Sequence, residues 1–178
     1  MSRSKQQRLL KEIREITDNE YLNPQKIIDE TNDEEEINAR LELAKDRLIR
    51  TVIISDYVLI NEHLDVIICN YFWGKNASWR SKRFKLFNQH VLERLTLVNK
   101  IDLLSEFVHL PKPVRSFILE LNRLRNALAH SFFPENRRTE RPIYKGGSIY
   151  KMDVLRSYKK AYDVASDFLV EKAWGTKL

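Results

Sequence analysis

Arg125 is followed directly by Asn126 and, five positions on, by His130, in the run Leu121-Asn122-Arg123-Leu124-Arg125-Asn126-Ala127-Leu128-Ala129-His130-Ser131. A guanidinium is a permanently charged planar fork that fits a phosphate, and an imidazole exchanges protons near neutral pH. Such groups can cleave RNA without a metal. A base removes the 2′-OH proton, an acid protonates the leaving 5′-oxygen, and a cation stabilises the pentacoordinate phosphate. On a helix with Leu121 as zero, Val114, Phe117, Leu124 and Leu128 fall within ~60° of it, Arg125 near ~40°, Asn126 near ~140° and His130 near ~180°. Asn126 and His130 are then neighbours one turn apart, and Arg125 borders the core. A purely structural explanation also exists: Arg125 snorkels beside the core, and His130 faces the helix C-terminal dipole. Ile118, Leu119, Ala129 and Phe133 carry apolar character round towards Asn126 and His130, leaving Ser116, Glu120, Arg123 and Ala127 as the solvated sector. A second, half-apolar face needs a second partner. We expect a homodimer that brings two Arg125 and two His130 side chains to one cleft.

Phosphate chemistry also needs cations elsewhere, and the charge is unevenly spread. The net charge is +6. Residues 23–66 hold eleven acidic against five basic side chains, whereas residues 67–100 hold seven basic against one acidic. One basic island is Arg80, Lys82, Arg83 and Lys85, interleaved with Trp73, Trp79, Phe84 and Phe87. A second is Arg137, Arg138 and Arg141, with Lys145, near Tyr144 and Tyr150. Cations among flat rings suit single-stranded RNA, whose phosphates and unstacked bases need both. Solvated helix ends beside core aromatics would give the same composition. The acidic run Asp33 to Glu36 sits where a helix N-terminus favours negative charge, so it needs no ligand.

The other chemically capable residues lack partners at useful spacing. Glu62-His63 has no second helical histidine for a zinc site, and no metal or cofactor is expected. His90 and His109 stand alone. Cys69, flanked by Ile67 and Ile68, is expected to be a buried thiol. Asp102 and Glu106 fit a solvated helix face. Gly146-Gly147 lacks the Lys-Ser/Thr of a phosphate loop and instead predicts a two-residue hairpin turn near 144–150.

The elements that must position these groups are helical. Only 4 Gly and 5 Pro interrupt 178 residues, too few breakers for a sandwich or barrel. A stripe of Leu9, Leu10, Ile13 and Ile16 predicts a helix over 4–17, and Asn23-Pro24 opens a short one. From Asp33 a 3.6-residue period runs unbroken to Gly74, apolar nearly all round in its second half. A loop over 74–81 precedes helices near 82–94 and 97–108, the second capped by Thr96. Pro111 and Pro113 begin the helix that carries the Arg–Asn–His run and stops before Pro134. A last helix spans about 153–172. One cysteine excludes a disulfide framework, and no apolar leader or bilayer-length stretch is present, so a cytoplasmic protein without membrane contact is expected.

In Arg125-Asn126-x-x-x-His130, late in a helix of an all-α chain and after a long apolar helix, the sequence resembles the HEPN family. The resemblance covers roughly residues 33–172. It implies a HEPN-like helical bundle, with 1–32 as an N-terminal helical extension and 33–178 as the HEPN-like domain. It further implies a metal-independent endoribonuclease with a toxin or phage-defence role, its active site assembled across a homodimer from two motifs. Arg125 and His130 would be the functional pair and Asn126 their support, with an antitoxin or regulatory protein as a further partner. HEPN toxins controlled by nucleotidylation carry a tyrosine two residues after the histidine. Phe132 stands there, so that control is not expected. The alternative is a non-catalytic HEPN-like module that binds a protein or nucleic acid.

Overall fold

The structure is a computed structural model and describes residues 23–30, 33–74, 81–129 and 142–175. Among these residues lie α1 (Pro24–Glu30), α2 (Glu34–Trp73), α3 (Lys82–His90), a 3₁₀ turn (Leu92–Arg94), α4 (Leu97–Ser105), α5 (Lys112–Ala129) and α6 (Met152–Trp174). Strands β1 (Ile143–Tyr144) and β2 (Gly147–Ser148) form one antiparallel hairpin. The fold is all-α, as expected. The helix expected over 4–17 lies outside the described residues. None of the helices among the described residues is long and apolar enough to cross a membrane.

The chain separates into two compact units, 1–51 and 52–178, dividing within α2, whereas the boundary expected near residue 33 coincides with the start of that helix. In the first unit Asn23 caps α1 as its sequence implies, its Oδ1 accepting from Gln25 N at 3.1 Å, with Pro24 at the first helical position. Asp33 Oδ1 accepts from Glu35 N at 3.0 Å, and Glu34, Glu35 and Glu36 occupy the first turn of α2. That is the structural role expected for the acidic run.

In the second unit the expected helix over 82–94 breaks at Val91, whose φ of −121° is not helical, and continues as the 3₁₀ turn. Thr96 caps α4, its hydroxyl accepting from Asn99 N at 3.2 Å. That helix ends at Ser105, short of 108, because Glu106 N and Phe107 N turn back to the carbonyls of Leu103 and Leu104. The hairpin turn is Lys145-Gly146, one residue earlier than the expected Gly146-Gly147. Both turn residues have positive φ, 46° and 82°. Gly147 is needed for a different reason: a Cβ there would lie 2.6 Å from Val154 Cγ2. The hairpin thus lies directly against α6 and buries Tyr144 beside Phe117 and Tyr158, with ring centroids 6.5 and 5.6 Å away.

The second half of α2 is not covered all round. Ile53, Ile60, Leu64, Ile67 and Ile68 are buried, but Ile54, Val58 and Leu59 are exposed. Taking Asp56 as zero, these five residues span an arc of ~20° to ~120°, with buried Cys69 outside it near ~220°, and polar ties lie on both flanks of the arc. On one flank, Tyr158 Oη donates to Asp56 Oδ2 at 2.9 Å, and Asn70 Nδ2 donates to the Ala173 carbonyl at 2.8 Å, both on α6. On the other, the Lys100 ammonium from α4 meets Asp65 at 2.6 Å and Asn61 Oδ1 at 2.9 Å. Lys100 is 1% exposed. Burial pushes both carboxyls above their ordinary value. For Asp65 the Lys100 contact opposes that shift, and for Asp56 the Tyr158 hydroxyl and Lys159 do.

Two consequences are measurable. Lys100→Met leaves Asp65 buried without its cation and should cost about 3–5 kcal/mol in urea unfolding. The double variant Lys100→Met/Asp65→Leu should recover most of that loss, and a neutral single variant would contradict the pairing. Asp56 holds its proton more tightly folded than unfolded. Its favourable contribution is therefore complete below its ordinary pKa of 3.8 and is lost as pH rises through the raised value. Asp56→Asn keeps an acceptor for Tyr158 and should gain stability relative to wild type as pH rises through that window. A pH-independent difference would contradict it.

Candidate functional site

Arg125 and Asn126 lie in the last turns of α5, and His130 lies outside the described residues. The helix begins at Lys112, where Arg115 N reaches the Pro111 carbonyl at 3.0 Å. Val114, Phe117, Leu121, Leu124 and Leu128 form its buried stripe, as expected. Ala127, assigned by its wheel position to the solvated sector, is fully buried. The covered arc of α5 is wider than the apolar stripe implies and extends over Ala127; α5 packs along α6. Ser116 and Arg123 are exposed as expected, and Glu120 is half-buried.

Arg125 is half-buried and doubly held. Its Nη1 donates to Asn126 Oδ1 at 3.0 Å, and its guanidinium carbon lies 5.1 Å from the centroid of the Tyr57 ring on α2. An amide oxygen and a ring face orient the fork without neutralising it. Among the described residues no carboxylate pairs with Arg125. Asp56, next to Tyr57 in the chain, is committed to Tyr158 instead. The half-buried cation therefore keeps donors that a phosphate can use. Tyr57 has no mark in the sequence that singles it out, since a tyrosine on a long apolar helix looks like any other core aromatic.

Of the first basic island, Lys82, Arg83 and Lys85 are exposed in the opening turn of α3, and Arg80 lies outside the described residues. Ser81 caps that turn, accepting from Phe84 N at 3.1 Å. Three cations at a helix N-terminus oppose the dipole, and among the described residues none forms an ion pair. This arrangement costs stability where the acidic run at α2 contributes it. Trp73 and Phe87 meet edge to face at 4.5 Å. Beside them, and not anticipated, Tyr71 stacks on Phe107 at 3.8 Å, and Phe72 lies 6.1 Å from Phe107. Tyr71 and Phe72 are 56% and 51% exposed. The consecutive Tyr71-Phe72-Trp73 at the helix end was the available signal. Arg137, Arg138 and Arg141 of the second island lie outside the described residues, and Lys145 is exposed.

The remaining candidates carry no chemistry. Cys69 is buried as expected, and burial pushes its thiol up to about 12, so it is not a nucleophile at neutral pH. His63 Nδ1 donates to the Leu59 carbonyl at 2.6 Å. His90 and His109 are exposed, and Asp102 forms an open pair with Arg115 at 3.3 Å. No cluster of three His, Cys, Asp or Glu side chains able to hold a metal occurs among the described residues. Lys100 was missed, although it falls on the stripe of Leu97, Ile101 and Leu104, where a charge demands a buried partner.

Comparison with protein-family models, curated proteins and solved structures finds no match for the chain.

The first turn of α3 yields a quantitative expectation. If Lys82, Arg83 and Lys85 each contact a phosphate, replacing all three by Ala should reduce the log Kd versus log[salt] slope for single-stranded RNA by ~2, at ~0.7 per contact. An unchanged slope would make them ordinary solvated side chains.

Proposed function

We propose that this chain is a metal-independent endoribonuclease of the HEPN type, acting as a homodimer in a toxin or phage-defence role. Arg125, Asn126 and His130 of two copies form its active site. The observation that carries the reading is the Arg125 guanidinium, oriented by Asn126 and Tyr57 and without a carboxylate partner among the described residues. The exposed aromatic and basic surface at the ends of α2 and α3 supports RNA as the ligand. Exposed Ile54 and Val58, ~60–100° round α2 from Tyr57, supply apolar surface beside Arg125 for a second copy.

In this mechanism one His130 takes the proton from the 2′-OH, whose oxygen forms a bond to phosphorus. The bond from phosphorus to the 5′-oxygen breaks, and the His130 of the second copy protonates the leaving oxygen. Arg125 binds the non-bridging oxygens as charge develops, and Asn126 holds the guanidinium in that orientation. The products are a 2′,3′-cyclic phosphate and a 5′-hydroxyl. Proton transfer of this kind contributes roughly 10²–10⁴-fold.

Incubation with single-stranded and structured RNA in EDTA tests the proposal. Wild type should leave 5′-hydroxyl ends, and His130→Ala or Arg125→Ala should each slow cleavage by about 10²-fold or more. Cleavage that survives both substitutions would remove these residues from the mechanism. Tight RNA binding by wild type without cleavage would favour the non-catalytic module, for which the basic surface of α3 suffices.

A further inference from the structure

The aromatic side chains at the C-terminal end of α2 form a cluster that stays open to solvent. Tyr71 lies flat on Phe107, with 15° between the ring planes, and Phe72 stands edge-on to Tyr71 at 5.3 Å. Phe107 covers one face of the Tyr71 ring, yet more than half of the residue is exposed. Phe72 is exposed to a similar extent, 6.4 Å from Phe87 and 6.1 Å from Phe107. Two adjacent large rings left in water forgo the stabilisation that burial gives, and contiguous exposed patches of this kind mark contact surfaces.

One cation is placed to define the partner. Arg83 precedes Phe87 by one helical turn, so the two share a face of α3 with Cβ atoms ~5–6 Å apart. Phe87 in turn meets Trp73 at 4.5 Å. Lys82 and Lys85 lie ~140–160° round the helix from Phe87, on its other side. Arg83 is exposed and has no ion pair among the described residues. Flat rings beside a guanidinium suit a nucleobase beside its phosphate, and a base reaches such a ring only when it is not stacked within a duplex. An apolar protein segment would cover the same rings but desolvate Arg83 without offering it an anion.

We infer that this corner, where the end of α2 meets α3 and Phe107, is a stacking platform for unpaired RNA. Bases lie on Tyr71 and Phe72, and a phosphate lies on Arg83. The inference rests on the RNA reading above and adds a second contact on the substrate, separate from the cleavage centre. Tyr71 follows Tyr57, the ring under Arg125, by fourteen residues on α2, or ~21 Å along the helix axis at ~1.5 Å per residue. About six nucleotides of a stacked strand, at ~3.4 Å each, span that distance. The platform thus selects single strands long enough to lie on it and still reach Arg125.

Fluorescence anisotropy with a twelve-nucleotide 2′-O-methyl RNA, which binds without being cleaved, tests the platform apart from catalysis. The same sequence in a duplex should bind about tenfold more weakly than the single strand. Tyr71→Leu/Phe72→Leu keeps apolar bulk without a flat ring and should weaken strand binding by about tenfold or more. Tyr71→Phe/Phe72→Tyr keeps both rings and should retain most of the affinity. Arg83→Ala should weaken binding more than Lys85→Ala. A 5-iodouridine in the strand should photocross-link to Tyr71 or Phe72. Circular dichroism and melting curves show whether each variant is folded. Absence of strand binding by wild type, equal affinity for strand and duplex, or undiminished binding in folded Tyr71→Leu/Phe72→Leu would overturn the inference. Cleavage is read separately: the double leucine variant should raise KM more for an unmodified twelve-nucleotide strand than for a dinucleotide. If no RNA is cut, the ribonuclease reading fails while the platform stands on the binding results.

Discussion

A long apolar helix has little in its own surface to stop it from rotating or slipping by a turn, and four polar side chains on α2 supply that constraint. Asp56 and Asn70 face α6, where Tyr158 and the Ala173 carbonyl receive them, while Asn61 and Asp65 face α4 and share Lys100. The two sets lie on opposite sides of the buried arc, so a rotation that served one would strand the other. Apolar contacts tolerate such slippage at modest cost, but a buried ammonium without its carboxylate does not. Once Asp56 is tied to α6, Tyr57, one residue on and ~100° round the helix, is turned to where the Arg125 guanidinium meets it.

The treatment of charge separates structure from function in this chain. Where a charge has a structural task it is paired or favourably placed, as with Lys100 between Asp65 and Asn61, or the acidic first turn of α2. Arg125 and the cations of α3 follow neither pattern. Arg125 is held by neutral groups, and Lys82, Arg83 and Lys85 crowd a helix end whose dipole repels them. Among the described residues neither set has the carboxylate partner that the structural charges have.

Much of this was legible in the residues. Asn23-Pro24, Thr96, and Pro111 with Pro113 in the first turn of α5 mark helix starts by local chemistry that tertiary structure does not override. The 3.6-residue period likewise marks α2 and α6. The period fails where the answer lies in what covers a face. Ala127 sits on the polar side of its wheel yet is buried, and Val58 and Leu59 sit on an apolar helix yet are exposed. The glycine pair at the hairpin misled by one residue, because Gly147 is required by the approach of Val154 and not by the turn. Arg125 and Asn126 stood out through their types and spacing. Tyr57 did not, since its role exists only once α2 and α5 are side by side.

The central claim is that the Arg125 guanidinium, pre-oriented by Asn126 and Tyr57 and without a carboxylate partner among the described residues, gives its remaining N–H donors to an RNA phosphate. Side-chain ¹⁵N NMR of arginine-labelled protein reads this directly, with the Arg125 Nε–H signal assigned through its loss in Arg125→Lys. Titration with a 2′-O-methyl RNA oligonucleotide, which binds without being cleaved, should shift that signal saturably and slow its exchange with water. An Arg125 signal that stays in place while other signals report that the RNA has bound would contradict the account.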